Sequence, residues 1–333
     1  MSFLSATDGI TVLIGYLIKR LLQMALVLFA VSVIVFLMMS FTGDPVFMVI
    51  PIDSTAAEIE QARRLLGLDR SLLSQYWIFV TNLLQGDFGR SYVFRQPAMD
   101  LILERLPATI EMVLVAITLA TVIAVPLGVF AGANPNRPIS RGIMAGSLLG
   151  ISLPGFWVGM MLIFFFSVRY QFLPSSGRGE TVQFLGLRLS ILTGDGWSHI
   201  ILPAVTLALA TLAIILRITR AGMMEVMRQD YIRFARAKGA SRWHILFGHG
   251  LKNALIPVVT IFGLQLGDLI AFATITETIF AWPGTGKLLI DSIYRGDRPV
   301  IVVYLMLTAF IFVAINFIVD IVYTMIDPRI AVK

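Results

Sequence analysis

Few residue types in this chain could do covalent or metal chemistry. It has no cysteines and three histidines, His199, His244 and His249, so disulfides, thiolate nucleophiles and Cys- or His-rich metal sites are not expected. No motif joins a nucleophile, a base and an orienting group, so no catalytic residue is assigned. GTGKLL at Gly284 to Leu289 superficially resembles a phosphate-binding loop. Such a loop needs a glycine five residues before the glycine of its Gly-Lys pair, and Ser or Thr after the lysine. Those places hold Ala281 and Leu288. What remains are carboxylates within apolar runs: Asp268, Glu277 and Asp320. A charge at the centre of a membrane helix costs roughly 2.5–3.5 kcal/mol on insertion scales, so such groups face a cavity or a partner. Gln265 stands one turn before Asp268, and the two are candidates for a solute pathway. A structural role is favoured for Glu277, and for Asp320 with Asn316 one turn before it.

The other conspicuous set is basic. Arg217, Arg220, Arg228, Arg233, Arg236, Lys238, Arg242 and Lys252 fall within Arg217 to Pro257, against only Glu225 and Asp230. Apolar runs long enough to cross a bilayer flank this segment on both sides. Over the whole 333 residues the chain is 57% hydrophobic and 14% charged, where a soluble domain carries about a quarter charged residues. The surplus apolar surface must face lipid. Runs of about 20 apolar residues without strict alternation read as helices rather than barrel strands. The fold class is therefore an all-α integral membrane protein with six transmembrane helices. The net charge of +6 is the positive-inside signature of its loops rather than a nucleic-acid footprint.

Residues 1–20 read as a cytoplasmic or interfacial N-terminus ending in Lys19 and Arg20, and 21–41 as an uncleaved first span. Residues 42–107 form a small helical outer domain. Within it Thr55 and Glu58 make a capping box, helical spacing follows, and Gly67 stops the helix. Residues 108–325 hold spans two to six, including a cytoplasmic loop at 217–254, and 326–333 are a cytoplasmic tail. In the third span Gly142, Gly146 and Gly150 place small residues on one helix face for helix packing, and Pro154 supplies a kink. The stretches 171–198 and 281–299 read as outer loops. Both termini lie inside, with Arg137, Arg141, Arg329 and Lys333 adding to the inner positive charge.

In the basic loop, Asp230 is a plausible helix N-cap and Gly239 a stop. About two turns lie between them, with Tyr231, Phe234, Ala235 and Lys238 on one face and Arg233 and Arg236 off it. Ser241 then starts a second helix into the fifth span. Two aromatics and an alanine make a narrow apolar face for a helix resting on lipid. A groove on a cytoplasmic protein suits it better.

These residues resemble a known family. ARAKGAS followed by HGLKNALIPV is similar to the cytoplasmic loop of permease subunits of binding-protein-dependent ABC importers, in the dipeptide/oligopeptide/nickel branch. GDPV at Gly43 to Val46, GLDRSLLSQYW at Gly67 to Trp77 and QGDFGRS at Gln85 to Ser91 add to the likeness, as do ERLPATIE at Glu104 to Glu111 and SLPGFW at Ser152 to Trp157. ETIFAWPGTGKLL at Glu277 to Leu289 and DPRI at Asp327 to Ile330 complete it. The general importer motif, E-A-A-x3-G and then I-x-L-P after nine residues, is met here by Ala235 and Gly239. Arg233, Phe234 and Lys252 depart from it.

The resemblance implies a permease forming half of a translocation pathway for a small solute, with di- or oligopeptides the leading class. It implies a bacterial inner-membrane protein that pairs with a second, homologous permease subunit, two ATP-binding subunits and an extracytoplasmic solute-binding protein. ATP and Mg would be bound by the partner subunits and no cofactor by this chain. The loop helix would seat in the ATPase subunit, with Tyr231, Phe234, Ala235, Ala237 and Gly239 as contacts and Arg233 and Arg236 facing acidic surface or head groups. The competing reading is an ion-coupled secondary transporter using Asp268 and Asp320.

Overall fold

The computed structural model describes residues 6–41, 46, 50, 54–65 and 67–326. The GDPV tag apart from Val46, the DPRI tag and the tail beyond Ile326 lie outside the described residues. Eleven helices are labelled here among those residues: α1 (Ala6–Phe41), α2 (Ala56–Leu65), α3 (Leu72–Leu84), α4 (Ala98–Ala133), α5 (Pro138–Ser152), α6 (Gly155–Leu162), α7 (Gly194–Val226), α8 (Asp230–Ala237), α9 (Lys252–Ile279), α10 (Thr285–Arg295) and α11 (Arg298–Ile326). Ile163–Arg169 and His244–Leu251 continue α6 and lead into α9 as wider π-helical turns. A short antiparallel hairpin joins β1 (Val182–Phe184) to β2 (Leu187–Leu189).

Five helical stretches are long and apolar enough to cross a bilayer: Ile18–Phe41, Ala98–Ala133, Gly194–Val226, Pro257–Ile279 and Arg298–Ile321. The sixth apolar unit is a broken one. α5 and the helix from Gly155 to Arg169 are bent by 102°, far more than the kink expected from Pro154. The cause is local. Leu153, just before the proline, is extended at φ −86° and ψ 129°, because a proline disfavours the helical region for its predecessor. Pro107, Pro126, Pro203 and Pro257 lie within helices, as membrane helices tolerate.

Three further expectations differ. α1 is one continuous helix, with no break between the N-terminal segment and the span. The stretch at 171–198 contains the hairpin, and that at 281–299 contains α10. An amphipathic eleven-residue run between two turns is enough to build a helix when its apolar side finds a core. The capping box is present: Thr55 N–H donates to Glu58 Oε2 at 2.7 Å and Glu58 N–H to Thr55 Oγ1 at 3.4 Å. The Thr55 N–H bond first, and then one from the Thr55 hydroxyl to Glu58 Oε2 at 2.8 Å, hold the Glu58 carboxyl below its usual range. Gly67 ends α2 at φ +67°.

Two compact units divide the chain: 1–106 with 288–314, and 107–287 with 315–333. In the first, α3 lies on α1 through a Ser32–Tyr76 hydroxyl contact of 2.8 Å and the packed rings of Phe36, Tyr76 and Phe79. Its core joins Leu101 and Ile102 of α4 to Leu288, Val300, Val303 and Tyr304. Asp297, fully buried, accepts from the Ser91 hydroxyl and from Tyr92 N–H at 3.0 Å, which ties the chain entering α4 to the start of α11.

In the second unit α7 is the central helix, packed against α5, α6 and α9. Its core is built from small faces. Ala116 and Ala120 of α4, Ala204 and Ala208 of α7 and Ala273 of α9 all sit in one cluster. α4 and α7 approach closely at glycines outside the Gly142, Gly146 and Gly150 series. A Cβ at Gly128 of α4 would meet Thr219 Cβ of α7 at 2.6 Å, and one at Gly132 would meet Met223 Cβ at 2.6 Å and Arg220 O at 2.7 Å. Gly150 touches α7 near Leu209 O, 3.3 Å from an added Cβ, whereas Gly142 and Gly146 have open space within this chain.

Candidate functional site

The loop between α7 and α9 carries a helix of eight residues, α8. Its N-cap is Gln229, in extended conformation at φ −68° and ψ 150°, and not Asp230. Asp230 is instead the first helical residue, where a negative charge suits the helix dipole and accepts from Arg233 at 3.3 Å. Gly239 does stop the helix. It lies at φ +79°, its N–H bonds Arg236 O at 3.0 Å, and Ala240 N–H bonds Ala235 O at 3.1 Å. That pair satisfies the last carbonyls while the chain turns through a left-handed residue that glycine adopts without strain.

Ile232, which the sequence reading did not single out, is fully buried and is the residue by which α8 is seated on its own chain. Its signal was available: it is the one aliphatic residue on the side of the helix away from Phe234. The aromatic pair divides into two roles. The Tyr231 hydroxyl accepts from Asn253 Nδ2 at 2.7 Å, which ties α8 to the first turn of α9. Phe234 is 62% exposed and carries Lys238 over its ring at 4.6 Å. Arg233, Arg236 and Ala237 are exposed and Ala235 is half-buried. A second tie comes from Arg242, whose Nη2 donates to Asn134 Oδ1 at 2.6 Å in the turn between α4 and α5. Ser241 caps the following turn through a 3.3 Å bond from His244 N–H.

Deeper in the unit a polar chain crosses between two spans. Thr211 of α7 donates to Gln265 Oε1 at 3.1 Å, and Gln265 Nε2 donates to Asp268 Oδ2 at 3.0 Å. Gln265 is buried and Asp268 exposed. The chain thus leads from a helix interface to a carboxylate on the open side of α9. Asp320 and Asn316 are half-buried on α11.

At the opposite end of α9, Glu277 is fully buried. It accepts from Thr109 Oγ1 at 2.6 Å and Lys287 N–H at 2.9 Å, so it holds the turn into α10 against α4. Gly284 in that turn lies against the carboxylate with no room for a side chain. The glycines of GTGKLL are therefore accounted for by packing. Trp282, also buried, donates from Nε1 to Ala108 O at 2.9 Å.

Glu111, which in the sequence only closes the ERLPATIE tag, forms an enclosed ion pair. Its Oε2 meets Arg178 Nη2 at 2.7 Å, with side chains 1% and 10% exposed. Its Oε1 accepts from Ser190 N–H at 2.6 Å and Ile191 N–H at 2.7 Å. Arg178 also donates to Arg188 O at 2.6 Å. One carboxylate thus fastens the whole hairpin-bearing loop onto α4. Nothing local in the sequence pairs positions this far apart.

Residues 124–332 match the family described as Binding-protein-dependent transport system inner membrane component. The chain belongs to that family. Residues 13–113 match the N-terminal model of the same type of membrane component. The Glutathione transport system permease protein GsiC of Escherichia coli (strain K12) is 40% identical over 322 residues, covering 96% of this chain and 100% of the relative. The protein of the same description from Shigella flexneri serotype 5b (strain 8401) gives the same figures. Among solved structures, one of inward-facing conformations of the MetNI methionine ABC transporter matches with a TM-score of 0.55 and 21% identity. It covers 69% of this chain and 97% of that one, a likeness of fold.

The permease is thus a membrane subunit of an ATP-driven, binding-protein-dependent importer of the peptide/nickel branch. It is a multi-pass inner-membrane protein and a transport subunit rather than an enzyme. The ion-coupled reading finds no support.

Proposed function

We propose that this permease forms half of the pathway for a peptide-like solute, and that α8 is the element through which ATP hydrolysis in a partner subunit drives it. The observation that carries the coupling role is a short helix, tied at its start by Tyr231 and followed by a second tie at Arg242, that presents Phe234 outward at 62% exposure. Large aromatics seated in a partner's groove supply a disproportionate share of small-interface energy. The ties from Tyr231 to Asn253 and from Arg242 to Asn134 make α8 a lever with two outputs, one to α9 and one to the α4–α5 turn. Closure of the ATP-binding subunits would move α8 as a rigid piece and tilt these spans between two access states.

In this reading Tyr231, Phe234, Ala235, Ala237 and Gly239 form or shape the contact, and Arg233 and Arg236 meet acidic surface or head groups. ATP and Mg belong to the two partner ATPases. A second permease subunit supplies the other half of the pathway, and a solute-binding protein delivers the ligand from outside. Both termini and α8 lie in the cytoplasm, in keeping with the basic residues gathered there. Gln265 and Asp268 are the pathway candidates, and Gly142 and Gly146, open within this chain, are positions for packing against the second permease. Peptide-like cargo is favoured by the 40% identity to a permease of a glutathione transport system.

The test is co-purification. Phe234→Ala with Tyr231→Ala should reduce recovery of the ATPase subunit by about tenfold or more, as loss of an anchoring aromatic pair does, while the chain still inserts. Undiminished recovery would sink the coupling assignment.

A further inference from the structure

The first unit holds two adjoining cavities of about 580 Å³ each. One is bounded by Phe36 and Met39 of α1, by Arg64 and Arg70, and by Arg298 and Val302 of α11. The other is bounded by Leu28 and Ser32 of α1, Val80 and Leu84 of α3, and Met306 and Phe310 of α11. Leu83 and Phe88 line both, so the two adjoin at a wall made by these side chains.

Their depths follow from the helices. α1 ends at Phe41 and α11 begins at Arg298. At a rise of 1.5 Å per residue, Phe36 and Met39 lie roughly 3–8 Å from the end of α1, and Val302 about 6 Å from the start of α11. Leu28 and Ser32 lie roughly 14–20 Å in, and Met306 and Phe310 about 12–18 Å in. The two spans agree, so the first cavity sits at the membrane surface and the second within the hydrocarbon.

Their chemistry divides the same way. The surface cavity carries three arginines, of which Arg64 also pairs with Glu60 Oε1 at 3.4 Å, against one lining aspartate, Asp87, which accepts from Gly89 N–H at 2.9 Å. The deep cavity is apolar apart from the Ser32 hydroxyl, which is bonded to Tyr76. α3, which walls both, presents Leu73 and Trp77 outward one turn apart, 79% and 68% exposed. A thirteen-residue apolar helix laid against the middle of a span, with such residues facing out, is placed in lipid rather than in water.

We propose that the paired cavities hold one anionic phospholipid, its phosphate among Arg64, Arg70 and Arg298 and one acyl chain passing Leu83 and Phe88 into the apolar cavity. Guanidinium forks match phosphate oxygens geometrically, and the arginine excess selects an anionic over a zwitterionic head group. The wall shared by the two cavities is what joins head-group and chain recognition in one molecule.

The experiment is native mass spectrometry of the full-length permease in detergent. It is mixed with equal amounts of phosphatidylglycerol and phosphatidylcholine carrying the same acyl chains. One phosphatidylglycerol per chain should be retained, preferred by about tenfold or more given the number of cationic groups. Arg70→Gln with Arg298→Gln should bring the preference to within about twofold, with circular dichroism unchanged. Arg90→Gln, an exposed arginine outside the cavities, should leave it intact. Leu83→Trp should lower retention of both lipids without changing their ratio.

Equal retention by the unaltered chain, or an unchanged preference in the arginine variant, overturns the proposal. Displacement of the lipid by millimolar glycerol phosphate shows that the head group alone is recognised and overturns the acyl-chain part. Loss of a second permease subunit rather than of lipid assigns the face to a protein contact and also overturns it.

Discussion

At the scale of single residues, the carboxylates divide by where their hydrogen bonds go. Glu111 receives four donors from three residues besides its partner's charge, all on one loop. Glu111→Gln keeps an acceptor for Ser190 and Ile191 but leaves Arg178 without a counter-charge. Breaking a buried pair in this way costs about 3–5 kcal/mol, and thermal unfolding in detergent should show a large fall in midpoint. Asp268 is different, being exposed and bonded to Gln265. Asp268→Asn should therefore leave the melting temperature nearly unchanged. If Asp268 lies on the pathway, uptake of some ligands should fall selectively in a transport assay, and uniform uptake would remove it. Asp268 could be read in the sequence as a polar group in an apolar run, and Glu111 only as the end of a motif tag. Their opposite environments could not, because partners such as Arg178 and Thr211 lie more than fifty residues away.

Elements show the same division between pattern and partner. The C-terminal end of α8 was legible because Gly239, at φ +79°, is the residue that adopts a left-handed backbone without strain. Its start was shifted by one residue, since Gln229 in an extended conformation begins the helix as well as an aspartate would. Small-residue faces were legible as a kind of surface but not as an address. Gly142, Gly146 and Gly150 follow the spacing that permits close approach, yet the tight crossing of α4 on α7 is made by Gly128 and Gly132. Gly132→Leu should therefore unfold or trap the single chain, read as loss of a monodisperse peak in size-exclusion chromatography. Gly146→Leu should leave that peak unchanged and weaken recovery of a second permease subunit. The same spacing also hid the break at Leu153 and Pro154. A proline inside a span is usually absorbed as a kink, and only the packed neighbours decide whether a bend of 102° is kept.

For the whole molecule, function rests on how an energy source outside the chain reaches the spans. Membership in the importer family predicts uptake by the assembled complex in proteoliposomes that stops when ATP is withheld. It should continue, at more than about half its rate, when an ionophore dissipates ion gradients. Collapse of uptake with the gradient would contradict the assignment. Competition by di- and tripeptides against glutathione in the same vesicles would report the cargo class. GTGKLL lacks the glycine and the Ser or Thr of a phosphate loop, and its glycines are pressed against Glu277 and Thr274 instead.

From its sequence alone the chain is a helical membrane protein with a positively charged loop carrying a short stopped helix. Hydrophobic runs, basic loops and an obligatory left-handed glycine act through the solvent and the local backbone, so they need no knowledge of neighbours. Tertiary structure decided which polar groups are paired, which glycines are pressed against another helix and where the third apolar run breaks. It also decided that α3 lies along a span beside two stacked cavities. Each of these depends on groups brought together from distant parts of the chain, and contact of that kind leaves no periodic trace in the order of residues.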